Sequence, residues 1–360
     1  MNEKSTTFCK ALCDTITPTG FELPGQRIVA EYLKDSADEI KLDVHGNLHC
    51  VLNPGAKRRV MLDAHCDEIG FFTQHVDKDG FVYVSTLGGV NVQLIGGERV
   101  VFSGPKGPVR GVFGRKAIHL MSAAEREKPA SEISDFWIDI GANSDTEALE
   151  LVPLGTPGVV DEGWRDLANG KATCRGFDDK AGVFIIAEAF RILAERRREG
   201  RGPKVAVHCV SATQEEVGLL GSIVASYGIA PHAGIAVDVC HATDIPGGDP
   251  KKTGAVKIGG GPAVAFGPPF DGDFLEIIRN AAKAASMPIQ MVPTPRSGGT
   301  DAHAIRHTRA GVPVALIKIP LRYMHSAVEL LSLDDLEKCA LLIADTVEAL
   351  PEDFEFGPKL

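Results

Sequence analysis

Two adjacent carboxylates, Glu215 and Glu216, stand where an apolar, β-branched run from Lys204 to Ala212 gives way to the glycines Gly218 and Gly221. Such a run reads as a buried strand, and in an open α/β sheet ligands bind beyond the carboxyl ends of strands. Successive side chains on an extended backbone point to opposite sides. One glutamate is therefore free to bind a cation while its neighbour moves a proton. Four more polar stretches lie just beyond predicted strands or at helix starts: His65-Cys66-Asp67, Asp178-Asp179-Lys180, Asp238 and His325. Two histidines with three or four carboxylates are a usual ligand set for zinc or a similar divalent ion. They are too many for one tetrahedral site and suit two ions about 3.5–4 Å apart that share a carboxylate.

Charge supports two ions. The Asp178, Glu216 and Asp238 carboxylates and one bridging hydroxide together neutralise a pair of dications, which avoids the cost of uncompensated buried charge. Asp67 is placed to accept the second ring N–H of His65 and fix its tautomer. Asp238 lies inside the apolar run Ile235-Ala236-Val237-Asp238-Val239 and needs a cationic partner, either a metal or a salt bridge. Each piece alone has a plainer role. A Glu-Glu pair forms solvated acidic turns, a lone histidine at a strand end is a hydrogen-bonded core residue, and Asp178-Asp179 before a helix is an N-cap pair. Their recurrence at element ends is what points to a site.

The elements that must position these groups read as follows. Residues 5–15 and 25–37 are predicted helices, and 39–52 a hairpin turning at His45-Gly46-Asn47. Arg58 to Ala64 is a short strand that delivers His65. From about Gly70 to Val160 turns are dense and strands short, which suggests a small β barrel or sandwich. One short helix is expected there, started by a capping box at Ser144-Asp145-Thr146-Glu147. After Asp161 helices and strands alternate again: a long helix over 181–198, strands at 204–212, 233–239 and 312–319, and helices near 218–227, 273–286 and 301–309. The last helix runs over 333–350 with Ser332 as its N-cap. The pattern is an α/β domain in two pieces, 1–69 and 162–360, interrupted by a β-rich insert over 70–161.

A chain of 360 residues with net charge −10 has the composition of a soluble globular protein and argues against nucleic acid or anionic membrane as partner. The basic cluster Arg196-Arg197-Arg198 reads as a solvated helix end. No apolar run is long enough to span a bilayer, and the first residues lack the apolar core of a signal peptide. The eight cysteines show no C-x-x-C pair and fit a reducing cytoplasm without disulfides.

Ordered motifs along nearly the whole chain resemble the M42 family of metallo-aminopeptidases, the glutamyl and tetrahedral aminopeptidase group. They are Ala64-His65-Cys66-Asp67-Glu68-Ile69-Gly70, Ile138-Asp139-Ile140-Gly141-Ala142, Gly176-Phe177-Asp178-Asp179-Lys180-Ala181-Gly182, Thr213-Gln214-Glu215-Glu216-Val217-Gly218, Val237-Asp238, Gly298-Gly299-Thr300-Asp301-Ala302 and Arg322-Tyr323-Met324-His325-Ser326. Cys66 and Leu321 depart from the family's more frequent residues, and neither is a proposed ligand. The resemblance implies a zinc- or cobalt-dependent exopeptidase with a mixed-sheet α/β catalytic domain of the binuclear zinc exopeptidase type and an inserted PDZ-like β domain used in assembly. By position it implies His65, Asp178, Glu216, Asp238 and His325 as metal ligands with Asp178 bridging, Glu215 as general base and Asp67 orienting His65. Asp301 is the candidate acid for the substrate's α-amine. The resemblance also implies peptide substrates and a homo-oligomer, a hollow dodecamer built from dimers. Competing readings are a cellulase-like glycoside hydrolase using Glu215 with Glu216 or Asp238, a metal-dependent N-acyl deacylase, and a non-enzymatic scaffold. His119, in the insert, is either a packed surface residue or a reach toward a neighbouring subunit. Neither the preferred N-terminal side chain nor the native metal is legible in the sequence.

Overall fold

Eight strands form one mixed sheet, and its middle carries the chemistry. The computed structural model describes residues 1–127, 130, 132–296 and 298–357. Strand Arg59–His65 pairs in parallel with Ala206–Ala212 on one side and Ala233–His241 on the other, and Ala233–His241 pairs in parallel with Val314–Leu321. Buried on both faces, these strands are mostly apolar rather than alternating, as parallel strands under helices are, with Asp63, His208, Ser211, Asp238 and Lys318 as the polar exceptions within them. The predicted hairpin is Glu39–Leu42 against Leu48–Leu52, and its second strand joins Ala206–Ala212 antiparallel. At the other edge Ala263–Phe266 and Gln290–Pro293 complete the sheet. The sequence reading missed both, because four-residue strands among Gly259–Gly261, Pro262 and Pro293 look like turns.

Side-chain parity separates the two faces. Leu62, Ala64, Ile235, Val237, Ile317 and Ile319 face a core built with helices Glu3–Asp14, Phe177–Arg198 and Leu333–Glu348. Met61, Val210, Ala212, Ala236 and Leu316 face the opposite way, against helices Leu220–Ile229 and Asp301–His307. His65, Asp238 and Lys318 share parity with Met61, Ala236 and Leu316, so they emerge on this second face.

The strands between Gly70 and Val160 close a six-stranded barrel with its own core around Phe71, Phe102, Phe113 and Ile138. Its short helix Asp145–Leu151 has Ser144 as N-cap, whose side chain accepts the Glu147 N–H. The Glu147 carboxylate turns instead to Asn143, so only half of the expected capping box forms. A separate three-stranded sheet, Arg165–Leu167, Lys171–Cys174 and Glu329–Ser332, was not foreseen. Ser332 precedes the last helix without a side-chain cap bond. The Arg196–Arg198 cluster is not simply solvated. Arg196 pairs with Asp345 and Glu348 at 2.7 Å each, and Arg197 with Asp38 at 2.6 Å, tying the long helix to its neighbours.

Candidate functional site

Two central strands, one helix start and two loops bring five side chains together. His65 is the last residue of its strand and 2% exposed. Asp238 lies six residues into the strand Ala233–His241 and is 7% exposed. Asp178 opens the helix Phe177–Arg198 through a cis peptide to Asp179. The backbone before it turns at Gly176 with φ +62°, and a Cβ there would lie 2.5 Å from Glu68 Oε2, so only glycine fits. Glu216 and His325 come from loops after their strands.

These residues form two groups that share Asp178. Ligand atoms of His65, Asp178 and Asp238 lie within 4.8 Å of one another, as do those of Asp178, Glu216 and His325. One carboxylate oxygen serves each group: Asp178 Oδ1 is 3.4 Å from His65 Nε2, and Oδ2 is 3.3 Å from His325 Nε2. His325 Nε2 also lies 3.5 Å from Glu216. Asp238 has no ion-pair partner among the described residues. Its one hydrogen bond is from the N–H of Val239.

Burial of so many acids is expensive, and their titration records it. Burial pushes Glu215 up to about 9, with Asp301 and Asp238 adding to it, although His65 works against the shift. Burial likewise lifts Glu216 and Asp238 to about 7 each, with Asp178 the next cause for both. Burial works against the charge on Asp178 too, but two imidazoles outweigh it and hold the carboxyl below its usual range. His65 would be pulled down by burial, yet Glu215, Asp178 and Asp67 together raise it well above normal. The Asp178 hydrogen bond raises His325 to about 9. In this cluster of acids that oppose one another's ionisation, with two imidazoles among them, the donor atoms form two groups that could each hold a metal ion.

The turn carrying Glu215 is held by a device the sequence reading did not find. Four successive N–H groups each donate to a buried side chain. Thr213 N donates to Asn47 Oδ1 at 2.9 Å and Gln214 N to Glu22 Oε1 at 3.1 Å. Glu215 N and Glu216 N donate to the two oxygens of Asp67 at 3.0 and 3.2 Å. The cradle supports a backbone that Gln214 bends into the left-handed region at φ +55°. Gly221 closes it, because a Cβ there would meet Thr213 O at 2.3 Å and Asn47 Oδ1 at 2.4 Å. Asp67 thus does more than expected. Its backbone oxygen lies 3.1 Å from His65 Nδ1 and its carboxylate 3.4 Å, while that carboxylate holds the Glu215-Glu216 backbone and the Thr19 hydroxyl.

The other histidine is set differently. His325 sits on a loop with φ +58°, and its Nδ1 lies 3.0 Å from the carbonyl of Gly89, a barrel residue, which leaves Nε2 facing Asp178. Buried Glu329 accepts both the His325 N–H at 2.9 Å and the Asp178 N–H at 3.0 Å. Neither Gly89 nor Glu329 carries a sequence signal, since each acts only through its tertiary neighbours. Asp301 opens the helix Asp301–His307 and stands near enough to Glu215 to raise its carboxyl. It is 2% exposed, packed against Asp63 and Ser222, with burial and Asp63 raising its carboxyl; it does not line the cavity in front of the histidines.

That cavity, ≈ 460 Å³, is walled by His65, Asp178, Glu215, Glu216, Asp238 and His325 on one side and by the loops after Val239 and Val292 on the other. Glu215 Oε2 stands 3.8 Å from His65 Nε2 on the wall of this cavity. A carboxylate beside two groups of metal-type donors is a set of residues that metal-assisted hydrolysis can use.

A family model described as M42 glutamyl aminopeptidase matches residues 46–342. A lysyl aminopeptidase of Pyrococcus furiosus is 33% identical over 350 residues, covering 96% of this chain and 97% of that protein. The TET aminopeptidase of a marine sediment archaeon, Thaumarchaeota archaeon, superposes with a TM-score of 0.90 at 33% identity over 97% of both chains. The Pyrococcus horikoshii TET1 peptidase, which can assemble into a tetrahedron or a large octahedral shell, has a TM-score of 0.84 at 30% identity, covering 96% of this chain and 100% of that one.

Proposed function

The chain belongs to the M42 glutamyl aminopeptidase family and is an aminopeptidase, a hydrolase of peptide bonds; from that premise we propose that it works through two divalent ions, one at His65, Asp178 and Asp238 and one at Asp178, Glu216 and His325. The observation that carries this reading is the divided Asp178 carboxylate, one oxygen turned to each histidine. The donor set of imidazole and carboxylate fits zinc or cobalt, and the unpaired Asp238 inside an apolar strand fits a ligand waiting for a cation. Bound there, the ions would polarise the scissile carbonyl and lower the pKa of a water. Asp178 holds the two sites in register, and Asp67 keeps Glu215 over the space between them. Glu215 takes the proton of the attacking water and returns it to the leaving amine.

Purified protein should carry two equivalents of metal and release N-terminal residues from unblocked peptides, with chelation abolishing the activity. A glycosidase using Glu215 with a second carboxylate would survive chelation, and a deacylase would prefer N-acylated peptides. Activity insensitive to chelator would overturn the metal assignment.

The barrel over 70–161 is an inserted assembly unit in this reading, and the chain forms a homo-oligomer, in keeping with the assembly of its TET1 relative. Light scattering at low concentration tests it: a dodecamer is expected, and a monomer would refute it. No helix among the described residues is long and apolar enough to cross a membrane. The eight free, buried thiols support a reducing, cytoplasmic location.

A further inference from the structure

A turn of the barrel completes the half of the site that loops supply. Strand Val82–Leu87 runs back toward the catalytic domain, and its last residue pairs with Gly70, where the barrel begins. Gly88 and Gly89 follow it and reach the two loop-borne ligands. A Cβ on Gly88 would lie 3.1 Å from both Cβ and Oε2 of Glu216, and one on Gly89 would lie 3.0 Å from His325 Nδ1 and 3.2 Å from its Cε1. The two glycines are there for different reasons. Gly88 has φ +75°, a backbone that favours glycine whatever stands nearby. Gly89 lies outside the left-handed region, so its backbone makes no such demand, and the His325 ring is what crowds out a side chain. Val90 and Asn91, next along the chain, wall an enclosed cavity together with Asp178, Glu216 and His325.

The Gly89 carbonyl also decides which ring nitrogen can bind. A carbonyl oxygen only accepts, so the one 3.0 Å from His325 Nδ1 keeps a proton on that nitrogen. The neutral ring then carries its lone pair on Nε2, the atom 3.3 Å from Asp178 and 3.5 Å from Glu216. His65 has its Nδ1 set by Asp67, two residues away, whereas His325 depends on a residue 236 positions distant in the insert. Buried ions fix the barrel against the catalytic domain at both of its connections. Glu68, just before the first barrel strand, pairs with Lys180 at 2.8 Å and with Arg175 at 3.3 Å. Arg175 in turn donates to the carbonyl of Glu162 at 2.6 Å, where the chain has left the barrel.

We propose that Gly88 and Gly89 are positioning residues of the metal centre: beyond any part in assembly, the insert supplies the carbonyl and the clearance that hold His325 and Glu216 ready for the second ion. The inference rests on the two-ion reading and deepens it. An insert used for assembly alone would need neither a carbonyl aimed at a ligand nor a glycine against that ligand's ring.

The test is metal binding by the full-length protein, read apart from turnover. Chelator-stripped wild type and Gly89→Ala, whose methyl meets the His325 ring, are titrated with zinc or cobalt by calorimetry, with elemental analysis after dialysis. Gly89→Ala should weaken one of the two equivalents about ten- to a hundredfold, the usual cost of disturbing a group that orients a ligand, and leave the other unchanged. Gly89→Val should weaken the same equivalent further, and excess metal should restore kcat in Gly89→Ala with KM unchanged. Gln93→Ala, exposed on the same stretch of the barrel, should bind both ions as the wild type does, with melting temperature and light scattering confirming fold and assembly across the set. A crystal of the metal-loaded wild type gives a reading free of variants. Nε2 of His325 on the ion with Nδ1 in hydrogen-bond reach of Gly89 O supports the role, and a ring bound through Nδ1 or turned from Gly89 overturns it. Wild-type affinity for both ions in the Gly89 variants, equal weakening of both, or the same loss in Gln93→Ala also overturns it while the two-ion reading stands. A wild type that binds fewer than two equivalents overturns both.

Discussion

The two halves of the candidate metal centre share Asp178 and differ in almost everything else. The His65 half is built on strands: His65 and Asp238 are 2% and 7% exposed, and Asp67, which holds His65, follows it by two residues. The His325 half is built on loops: the His325 side chain is 33% exposed, its backbone is in the left-handed region, and its tautomer is fixed by a carbonyl from the barrel. Ligands on strands are held by the sheet's own pairing, whereas ligands on loops depend on whatever packs against them. The difference teaches that one set of donor atoms belongs to the fold and the other to the junction between fold and barrel.

The largest effect should come from the residue that joins the halves. Asp178→Ala should empty both positions and reduce peptidase activity to the blank, read by elemental analysis and a chromogenic substrate; retention of one full equivalent of metal would show that the halves are independent. Glu215→Gln should keep both metals and lose roughly 10²–10⁴-fold in kcat, and full activity in that variant would remove Glu215 as the base. Next comes the contrast itself. Under graded chelation the His325 half should release its ion first, and His325→Ala should retain about one equivalent where His65→Ala retains less. Equal release from the two would break the comparison.

A smaller loss, about tenfold in kcat with KM and metal content unchanged, is expected from Glu22→Ala, because Glu22 holds the backbone N–H groups of Gln214, beside the base, and of Gly20, and is not a proposed ligand. Glu22→Gln, which keeps the accepting oxygen, should recover it, and a change in metal content instead would make Glu22 a support of the ligands. The least effect is on stability. In metal-free protein Glu216 and Asp238 titrate near 7 and Glu215 near 9, above their unfolded values. The protonated forms are the ones that fold favourably, so this stability is fully present below the ordinary values of 3.8 to 4.5 and is lost progressively as pH rises from there to the folded values of about 7 and 9. The metal-free melting temperature should fall across that window while the loaded protein's holds, with protons released on loading. A metal-free melting curve flat over that range would contradict the burial of these acids.

Much of the fold was readable. The apolar, β-branched runs before His65, Thr213 and Asp238 identified three central strands, and the turn-dense stretch after Gly70 identified the barrel. The strands Ala263–Phe266 and Gln290–Pro293 were not, because short segments among glycine and proline become strands only when an existing sheet edge offers partners. Asn47, Glu22 and Glu329 were invisible as site residues for a related reason: an isolated polar residue acquires a role from what stands opposite it.

The amino-acid sequence by itself determined the chemistry on offer, two imidazoles and a set of carboxylates at the ends of elements, because ligand type is a property of each side chain. Tertiary structure alone decided that Asp178 turns one oxygen to each histidine, that the barrel presents Gly89 to His325, and that Asp301 packs against Asp63 close enough to Glu215 to raise its carboxyl. These are distances between residues far apart along the chain, and they are set by the packing of sheet, helices and barrel together rather than by any local pattern.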